Sequence, residues 1–238
     1  MEHFKILQFE SLPSTNETLK HLAQNGAADG TVVVASRQTA GKGTRGRSFF
    51  SPAGGLYFSV LLRDPAPQDL LYLTPLAAVA CAKGCEDVTG VSPDIKWVND
   101  LYLNGKKISG TLTETAFAPD GTPEFSVIGT GINLAPPHGG FPEDIRDKAG
   151  VLPGAPDKET LLSRCLFYLD CCLAGLDERA FLPEYRRRMM LTGKTVTLVS
   201  AGKTYVGKVT GVGEDVSLRL VTADGKEQSF STGEIRSY

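Results

Sequence analysis

Three positively charged residues lie close together in a glycine-rich segment, Gly41 to Arg47, whose sequence is GKGTRGR. The glycines allow the backbone to approach a ligand closely. Lys42, Arg45 and Arg47 carry side chains that donate strong hydrogen bonds to phosphate oxygens. The segment is therefore typical of a loop that binds a polyanion, most simply the phosphate chain of a nucleotide. A solvated basic turn is the alternative.

This loop differs from two widespread phosphate-binding motifs. The G-x-x-x-x-G-K-[ST] spacing of the Walker loop is absent from it. Gly41, Gly43 and Gly46 satisfy the G-x-G-x-x-G spacing of a dinucleotide fingerprint. The residues that follow, SFFSPAGGLYF, predict a loop and a strand where that fingerprint requires a helix.

A second segment, Ile95 to Asp100 with the sequence IKWVND, places a lysine, an amide and a carboxylate at the end of a predicted strand. Ligands commonly bind at such strand ends. Lys96 could neutralise a phosphate, and Asp100 could hold a metal ion or accept a proton. A simple turn at Asn99-Asp100 is the alternative.

Two further segments contain glycines beside polar side chains. In GKKISGTLTE, Gly105 to Glu114, Lys107 follows a tight turn, and Gly110 leaves room for a close approach. In GTGINL, Gly129 to Leu134, Asn133 offers a donor and an acceptor to a base or a sugar. A solubilising lysine and an ordinary backbone bend explain these segments equally well.

The composition excludes several classes of protein. Hydrophobic residues make up 41% of the 238 residues and charged residues 22%, which excludes a disordered or fibrous chain. Lys and Arg number 25 against 27 Asp and Glu, and this balance argues against bulk binding of nucleic acid or anionic membranes. The five cysteines lack C-x-x-C spacing, so a disulfide framework or a zinc site is not expected. Without a secretory leader or a bilayer-length apolar run, the sequence indicates a cytoplasmic protein.

Hydrophobic periodicity predicts an α+β fold, in which a mixed β-sheet with flanking helices is followed by a small β-barrel. Asn104-Gly105 predicts a type I′ hairpin. One helix is predicted to begin at Ser14, and a second to begin at Thr74-Pro75 and end near Cys85. Two more helices are predicted to cover Lys158 to Leu173 and Glu178 to Met190. After Gly193, evenly spaced short strands predict the barrel, which divides the chain into domains 1–190 and 191–238.

Four segments together resemble the biotin protein ligases. They are STN at Ser14 to Asn16, QTAGKGTRGRSFFSP at Gln38 to Pro52, KWVNDLYLNGKKISG at Lys96 to Gly110, and GTGINL. Their order and spacing match the family, and the last region, with Gly233-Glu234, is similar to its SH3-like barrel domain. Because the sequence starts at the first catalytic strand, the resemblance implies the monofunctional type without an N-terminal DNA-binding domain.

The resemblance implies a two-step reaction with ATP, biotin and Mg²⁺. The biotin carboxylate attacks the α-phosphate of ATP, which gives biotinyl-5′-AMP and pyrophosphate. A lysine of a biotin carboxyl carrier protein, or of a carboxylase biotin domain, then attacks the anhydride and releases AMP. The implied partner is that carrier, with no nucleic acid or membrane involved, and the chain is expected to be a monomer or a weak homodimer.

The same resemblance implies a role for each candidate residue. Catalytic roles are implied for Lys96, Arg47 and Asp100, and Asp100 is also the candidate metal ligand. Biotin contacts are implied for Ser14, Thr15, Asn16, Gln38, Lys42, Gly43, Thr44, Lys107 and Gly110. ATP contacts are implied for Arg45, Arg47, Phe49, Lys96, Asn99 and Asn133.

Three departures from the family pattern stand out. In the motif G-R-G-R-x-x-R, Lys42 and Thr44 replace the first two arginines. Phe49 stands where a tryptophan often covers the adenine, and Val98 replaces the proline of KWPND. Thr44 is the substantive change, because it removes a cation that could hold the adenylate.

Two other functions compete with this interpretation. A lipoate-protein ligase or octanoyltransferase shares the scaffold and modifies a carrier lysine, but those families lack GKGTRGR followed by KWVND. A non-catalytic nucleic-acid-binding protein could use the barrel and the basic loop. The net charge of −2 argues against that function, as does the presence of only Tyr205 and Phe230 as aromatic residues in the predicted strands of the barrel.

Overall fold

The computed structural model describes residues 4–238, which form four α-helices and twelve β-strands. In chain order these are β1 (Lys5–Leu12), α1 (Thr15–Gln24), β2 (Thr31–Gln38), β3 (Gly55–Arg63), α2 (Leu70–Thr89), β4 (Asp94–Lys96), β5 (Asp100–Leu103), β6 (Lys106–Phe117), β7 (Pro123–Asn133), α3 (Lys158–Ala174), α4 (Leu182–Arg188), β8 (Thr195–Ser200), β9 (Lys203–Val212), β10 (Leu218–Thr222), β11 (Glu227–Phe230) and β12 (Glu234–Ser237).

The first seven strands form one mixed sheet in the order β1-β2-β3-β7-β6-β5-β4. β1 and β2 are parallel and connected by α1, and the other neighbouring strands are antiparallel. Val32 and Val33 on β2 belong to two different hydrophobic clusters, because successive strand residues point to opposite faces. Helix α1 packs on the face of Val33, and α2 and α3 cover the face of Val32. The predicted mixed sheet with flanking helices is confirmed.

Helix α2 begins at Leu70, so the predicted start at Thr74-Pro75 is wrong. Pro75 lies inside the helix, where its ring nitrogen cannot donate to the carbonyl of Leu71. Leu71 is 47% exposed, so the missing hydrogen bond lies near the surface end of the helix.

Helix α4 is shorter than the predicted span of Glu178 to Met190. Arg179 has a left-handed φ of 53°, which interrupts helical hydrogen bonding before Pro183 starts the helix. Two buried side chains of α4 anchor the strand that carries Lys96. Tyr185 donates to the carbonyl of Val98 over 3.1 Å, and Arg188 donates to the carbonyl of Pro93 over 3.1 Å.

The last five strands form an antiparallel sheet in the order β11-β10-β9-β8-β12. Strands β8 to β11 agree with the predicted small β domain, but β12 was not predicted. Within residues 4–238, the edge strands β11 and β12 form no ladder with each other. Trp97 Nε1 donates to the carbonyl of Val216 over 2.9 Å and so joins this sheet to the Lys96 segment. Leu76, before residue 190, and Leu198, after it, belong to one continuous buried cluster. Because the core is shared, the domain boundary near residue 190 stays a prediction.

The hairpin between β5 and β6 confirms the turn predicted from Asn104-Gly105. Both residues have positive φ angles, 50° and 75°, as a type I′ turn requires. The turn pairs Leu103 with Lys106, and a β-bulge next to Leu101 then shifts the register by one residue, which places Asp100 opposite Gly110. Among residues 4–238, no helix combines the length and the apolar character needed to cross a membrane.

Candidate functional site

A cavity of about 630 Å³ lies between the first sheet, the loop after β2 and strand β12. Its lining includes, among the predicted residues, Ser14, Thr15, Asn16, Gln38, Lys42, Gly43, Thr44, Arg47, Phe49, Lys96, Asn99, Asp100, Lys107, Gly110 and Asn133. Arg45 alone among the predicted site residues, all of which the structure describes, does not line the cavity. Segments that are far apart in the sequence therefore meet at one site.

The start of α1 forms one end of the cavity. Ser14 caps the helix, because its Oγ accepts from the backbone N–H of Glu17, as the sequence predicted. Gln38 Oε1 accepts from the N–H of Thr15 over 2.8 Å and from its hydroxyl over 3.1 Å. Gln38 Nε2 donates to Ser51 Oγ over 2.9 Å. These bonds fix a row of polar groups along one wall.

The amide of Asn16 is held on both sides. Ser59 Oγ donates to Asn16 Oδ1 over 2.6 Å, and Asn16 Nδ2 donates to Glu114 Oε2 over 2.9 Å. A Cβ on Gly129 would lie 1.9 Å from Asn16 Oδ1, so only glycine fits beside this amide. The first glycine of GTGINL is thereby explained by a close approach to Asn16.

Lys107 and Asp100 form an ion pair across neighbouring strands, with 2.7 Å between Lys107 Nζ and Asp100 Oδ1. That oxygen is buried and accepts no well-aligned hydrogen bond from the described residues, so the contact with Lys107 is chiefly electrostatic. A Cβ on Gly110 would lie 3.1 Å from Lys107 Nζ and 3.2 Å from Asp100 Oδ1. Gly110 therefore leaves room for the pair and for whatever approaches it.

Lys96 is half-buried at the end of β4, facing the same cavity. Burial lowers the pKa of its ammonium below the usual value, an effect that Lys107 reinforces and Asp100 opposes. The lysine thus belongs to a cluster of charges that shift one another. Perturbed groups of this kind in a cavity are typical of functional sites.

The loop Gly41 to Arg47 carries cations that already have carboxylate partners. Lys42 Nζ lies 2.6 Å from Glu17 Oε1 on α1. Arg47 Nη1 lies 3.3 Å from Glu234 Oε1 on β12, and Arg45 Nη1 lies 3.6 Å from Glu234 Oε2. The loop is therefore tied to both sheets at this point.

Thr44 supports Arg47 within the same loop. Arg47 Nη2 donates to Thr44 Oγ1 over 3.2 Å, and Arg47 Nε donates to the Thr44 carbonyl over 3.3 Å. Arg45 between them has a left-handed φ of 61°. The loop thus keeps Arg47 at the cavity edge, while Arg45 contacts the lining residue Glu234 without lining the cavity itself.

Phe49 and two asparagines complete the lining. A Cβ on Gly131 would lie 2.5 Å from Phe49 Cε1, so the ring packs against the bare backbone there. Asn99 Nδ2 donates to the carbonyl of Thr111 over 2.6 Å, and Asn133 Nδ2 donates to the carbonyl of Gly150 over 2.9 Å. Both amides use a donor to fix backbone, which leaves their oxygens as the groups to offer a ligand.

Sequence reasoning missed two lining segments. The first belongs to the long connection after β7 and contributes Phe141, Asp144, Ile145, Lys148 and Ala149. The second belongs to β12 and contributes Glu234, Ile235 and Arg236. The only signal for either was Gly233-Glu234, which the sequence analysis noted without a role.

Comparison with known proteins agrees with this geometry. Residues 8–133 match the biotin/lipoate A/B protein ligase family. The bifunctional ligase/repressor BirA of Bacillus subtilis (strain 168) is 33% identical over 235 residues, which cover 95% of this chain and 72% of that protein. The biotin–[acetyl-CoA-carboxylase] ligase of Mycobacterium tuberculosis is 28% identical over 236 residues, which cover 93% and 85%. A solved structure of biotin protein ligase from Aquifex aeolicus in complex with biotin and ATP is 29% identical, with a TM-score of 0.83 over 97% of both chains.

The chain belongs to the biotin/lipoate A/B protein ligase family. The resemblance found in the sequence is thereby confirmed. The family match contains Ser14, Gln38, Lys96 and Lys107 but ends at Asn133. The similarity to the Aquifex aeolicus chain extends over the second sheet as well, so the predicted β domain also belongs to the shared fold.

Proposed function

We propose that this chain is an ATP-dependent biotin protein ligase, which forms biotinyl-5′-AMP and transfers biotin to a lysine of a carrier protein. The observation that carries the proposal is the single cavity that joins the polar start of α1 to the cationic loop. One end offers hydrogen-bonding groups to a neutral ring system, and the other offers cations to a phosphate chain. The Aquifex aeolicus structure of the same fold, titled as a complex with biotin and ATP, supports this pair of substrates.

In the proposed first step, a biotin carboxylate oxygen bonds to the α-phosphorus of ATP while the bond to the pyrophosphate oxygen breaks. Both reactants are anions, so the site must concentrate positive charge between them. Lys96 and Arg47 supply that charge from two sides of the cavity. Lys107 supplies a charge-assisted contact to the carboxylate before attack, next to the polar wall that Thr15 and Gln38 form.

ATP-dependent chemistry of this class uses Mg²⁺, which neutralises phosphate charge. Asp100 is the candidate ligand for such an ion, because its carboxylate lines the cavity and its Oδ1 already attracts a cation, Lys107 Nζ at 2.7 Å. Mg²⁺ in nucleotide sites is commonly bound by one or two carboxylates together with phosphates and water. No group of three metal-ligating side chains exists among residues 4–238, so Asp100 would hold the ion with oxygens of the nucleotide.

In the proposed second step, the ε-amine of a carrier lysine bonds to the biotinyl carbonyl carbon, and AMP leaves with the electrons of the anhydride bond. The amine must lose a proton in this step. Asp100 is the carboxylate of the cavity placed beside Lys107, where the biotin carbonyl is expected, so it is also the candidate to accept that proton. Its roles toward the metal and toward the proton stay alternatives.

The proposed partner is a biotin carboxyl carrier domain, because curated relatives are named biotin–[acetyl-CoA-carboxylase] ligases. A cytoplasmic location and a monomer or weak homodimer complete the proposal. We also propose a functional boundary near residue 190, with the site residues of domain 1–190 closed off by Glu234 and Arg236 of domain 191–238.

Biotin-dependent exchange of labelled pyrophosphate into ATP tests the first step. The proposal expects exchange with biotin, no exchange without it, and no effect of excess lipoate. Competition by lipoate would instead favour a lipoate-protein ligase. Transfer is tested with a carrier domain and with the same domain carrying arginine at the acceptor lysine. Exchange without transfer to the lysine-bearing carrier would contradict the second step.

A further inference from the structure

Apart from the exposed Lys148, Lys96 differs from the other cations that line the cavity in what holds its ammonium. Lys42, Arg47, Lys107 and Arg236 each form an ion pair with a carboxylate. Among residues 4–238, no carboxylate forms an ion pair with Lys96. A half-buried ammonium without a carboxylate partner needs another source of stabilisation.

Two tyrosine rings occupy that place. Lys96 Nζ lies 4.5 Å from the ring centroid of Tyr238, which follows β12, and 5.6 Å from the ring centroid of Tyr102 on β5. Tyr238 is 43% exposed and also lies 4.9 Å from Lys194 Nζ, so its ring contacts two cations. These distances are within the range over which a cation is attracted to the face of an aromatic ring.

Aromatic rings and carboxylates hold a lysine with different consequences. A carboxylate neutralises the ammonium, and a phosphate must displace it before it can bind. A ring attracts the cation through its quadrupole and carries no net charge, so the full charge of the ammonium stays available. A ring therefore suits a lysine that binds a nucleotide phosphate better than a carboxylate does.

We propose that Tyr238, with Tyr102, is a positioning residue that orients Lys96 toward the nucleotide while leaving its charge unpaired. This inference rests on the proposed function, because it assumes that the cavity binds a nucleotide. It gives a role in nucleotide binding to Tyr238, which lies outside the family match that ends at Asn133. The second sheet thereby contributes to the first step through Lys96.

The first test compares Tyr238→Leu, which removes the ring, with Tyr238→Phe, which keeps it. The ligand is α,β-methylene-ATP in the presence of biotin, because the methylene bridge blocks adenylation. We expect Tyr238→Leu to weaken nucleotide binding about three- to tenfold, Tyr238→Phe to stay within about twofold, and biotin affinity to be unchanged in both. Phe117→Leu, an exposed aromatic outside the cavity lining, is the matched control and should bind nucleotide like the wild type. Equal losses in the Leu and Phe variants would overturn the proposal.

A double-mutant cycle separates positioning from general support of the fold. In a Lys96→Ala background, Tyr238→Leu should weaken α,β-methylene-ATP binding no further, because the group that the ring orients is gone. A loss that persists undiminished in that background would assign Tyr238 a structural role and overturn the proposal.

A third measurement needs no ligand and is therefore independent of the proposed function. Brief acetylation by acetic anhydride, read by peptide mass spectrometry, reports the accessibility of Lys96 relative to the exposed Lys5. Tyr238→Leu should raise the labelling of Lys96 severalfold, and Tyr238→Phe should not. Increased Lys96 labelling in Tyr238→Leu would establish the contact even if the protein catalyses no biotin-dependent exchange and the proposed function fails. Unchanged Lys96 labelling in Tyr238→Leu would refute the contact itself.

Discussion

Arg47, in the loop after β2, donates a hydrogen bond of 3.3 Å to Glu234, which lies 187 positions further along the chain. The same carboxylate lies 3.6 Å from Arg45 and 3.1 Å from Arg236. One carboxylate of the second sheet therefore attracts three guanidinium groups, among them that of Arg47, which the proposed reaction needs for a phosphate. Clustered like charges alone predict a mobile loop, and Glu234 offsets that repulsion.

Glu234→Gln should loosen the loop in the ligand-free protein. Removing the charge leaves Arg45, Arg47 and Arg236 to repel one another, although each exposed pair contributes only about 0.2–1 kcal/mol. We expect faster hydrogen exchange over residues 42–48 without ligand, and slower exchange in wild type and variant once biotin and ATP are added. Glu227→Gln, at the opposite edge of the same sheet, is the control. If biotin and ATP leave the exchange of this loop unaltered, it is not a lid.

Lys107→Ala should weaken the binding of biotin alone. The variant removes a charge-assisted contact to the only charged group of biotin, which is worth about 1.5–3 kcal/mol when desolvated. It also leaves Asp100 buried without its cation, which adds repulsion toward the biotin carboxylate. Calorimetry with biotin measures the loss, and Lys106→Ala, an exposed neighbour, should bind normally. Normal biotin affinity with lost ATP affinity would transfer Lys107 to the phosphate site.

Local sequence signals predicted local structure well. The Ser14 cap and the Asn104-Gly105 turn were correct because each depends on residues within four positions. The start of α2 was wrong because Thr74-Pro75 has the local signal of a helix start, although the helix already begins at Leu70. The predicted span of α4 was also wrong, because the extent of that helix depends on the left-handed Arg179.

The cavity lining could be predicted only where short motifs carry it. Lys96, Asp100, Lys107 and Gly110 were found together because one hairpin brings them close in sequence and in space. The contact between Arg47 and Glu234 has no local signal, since nothing near either residue specifies a partner in the other sheet. The ring of Tyr238 beside Lys96 was missed for the same reason.

Two glycines of β7 should separate the two ends of the cavity. Gly129→Ala would push a methyl group into Asn16 Oδ1 and break its hydrogen bonds, with a cost of about 1–3 kcal/mol in stability and weaker biotin binding. Gly131→Ala would displace the ring of Phe49, which can move, so nucleotide binding should weaken while the melting temperature changes little. Calorimetry with each ligand and thermal unfolding measure both variants. Identical binding profiles for the two variants would contradict this division of the cavity.

Glu184 on α4 should make the fold sensitive to acid. Hydrogen bonds from Arg187, and then from Arg188, hold the pKa of this carboxyl at about 2, below its usual 4.5. The folded state therefore binds a proton more weakly than the unfolded state, and the free energy of unfolding falls as the pH drops from about 4.5 to about 2. Urea denaturation at stepped pH should show a smaller fall in Glu184→Gln. Glu178→Gln changes an exposed residue just before α4, and its free energy of unfolding should fall with pH as in the wild type.

Thr44 is the departure from the family motif with the clearest chemical consequence. A mixed anhydride survives only while water is excluded and its phosphate is held. The hydroxyl of Thr44 accepts from Arg47 over 3.2 Å, so it orients one cation where the motif that the loop resembles has a second arginine. We hypothesise that this site holds its adenylate less tightly than a site with arginine at this position.

Thr44→Arg should slow the loss of bound biotinyl-5′-AMP. A new charge-assisted contact to the phosphate is worth about 1.5–3 kcal/mol when shielded from water. The acceptor lost to Arg47 is worth less, because that side chain is 60% exposed and water replaces the bond, so the gain prevails. Thr44→Val removes the acceptor without adding a cation and should speed the loss. The half-life of labelled adenylate after dilution into excess unlabelled biotin measures all three proteins. Equal half-lives in wild type and Thr44→Arg would mean that Arg47 and Lys42 already compensate fully, and the hypothesis would be wrong.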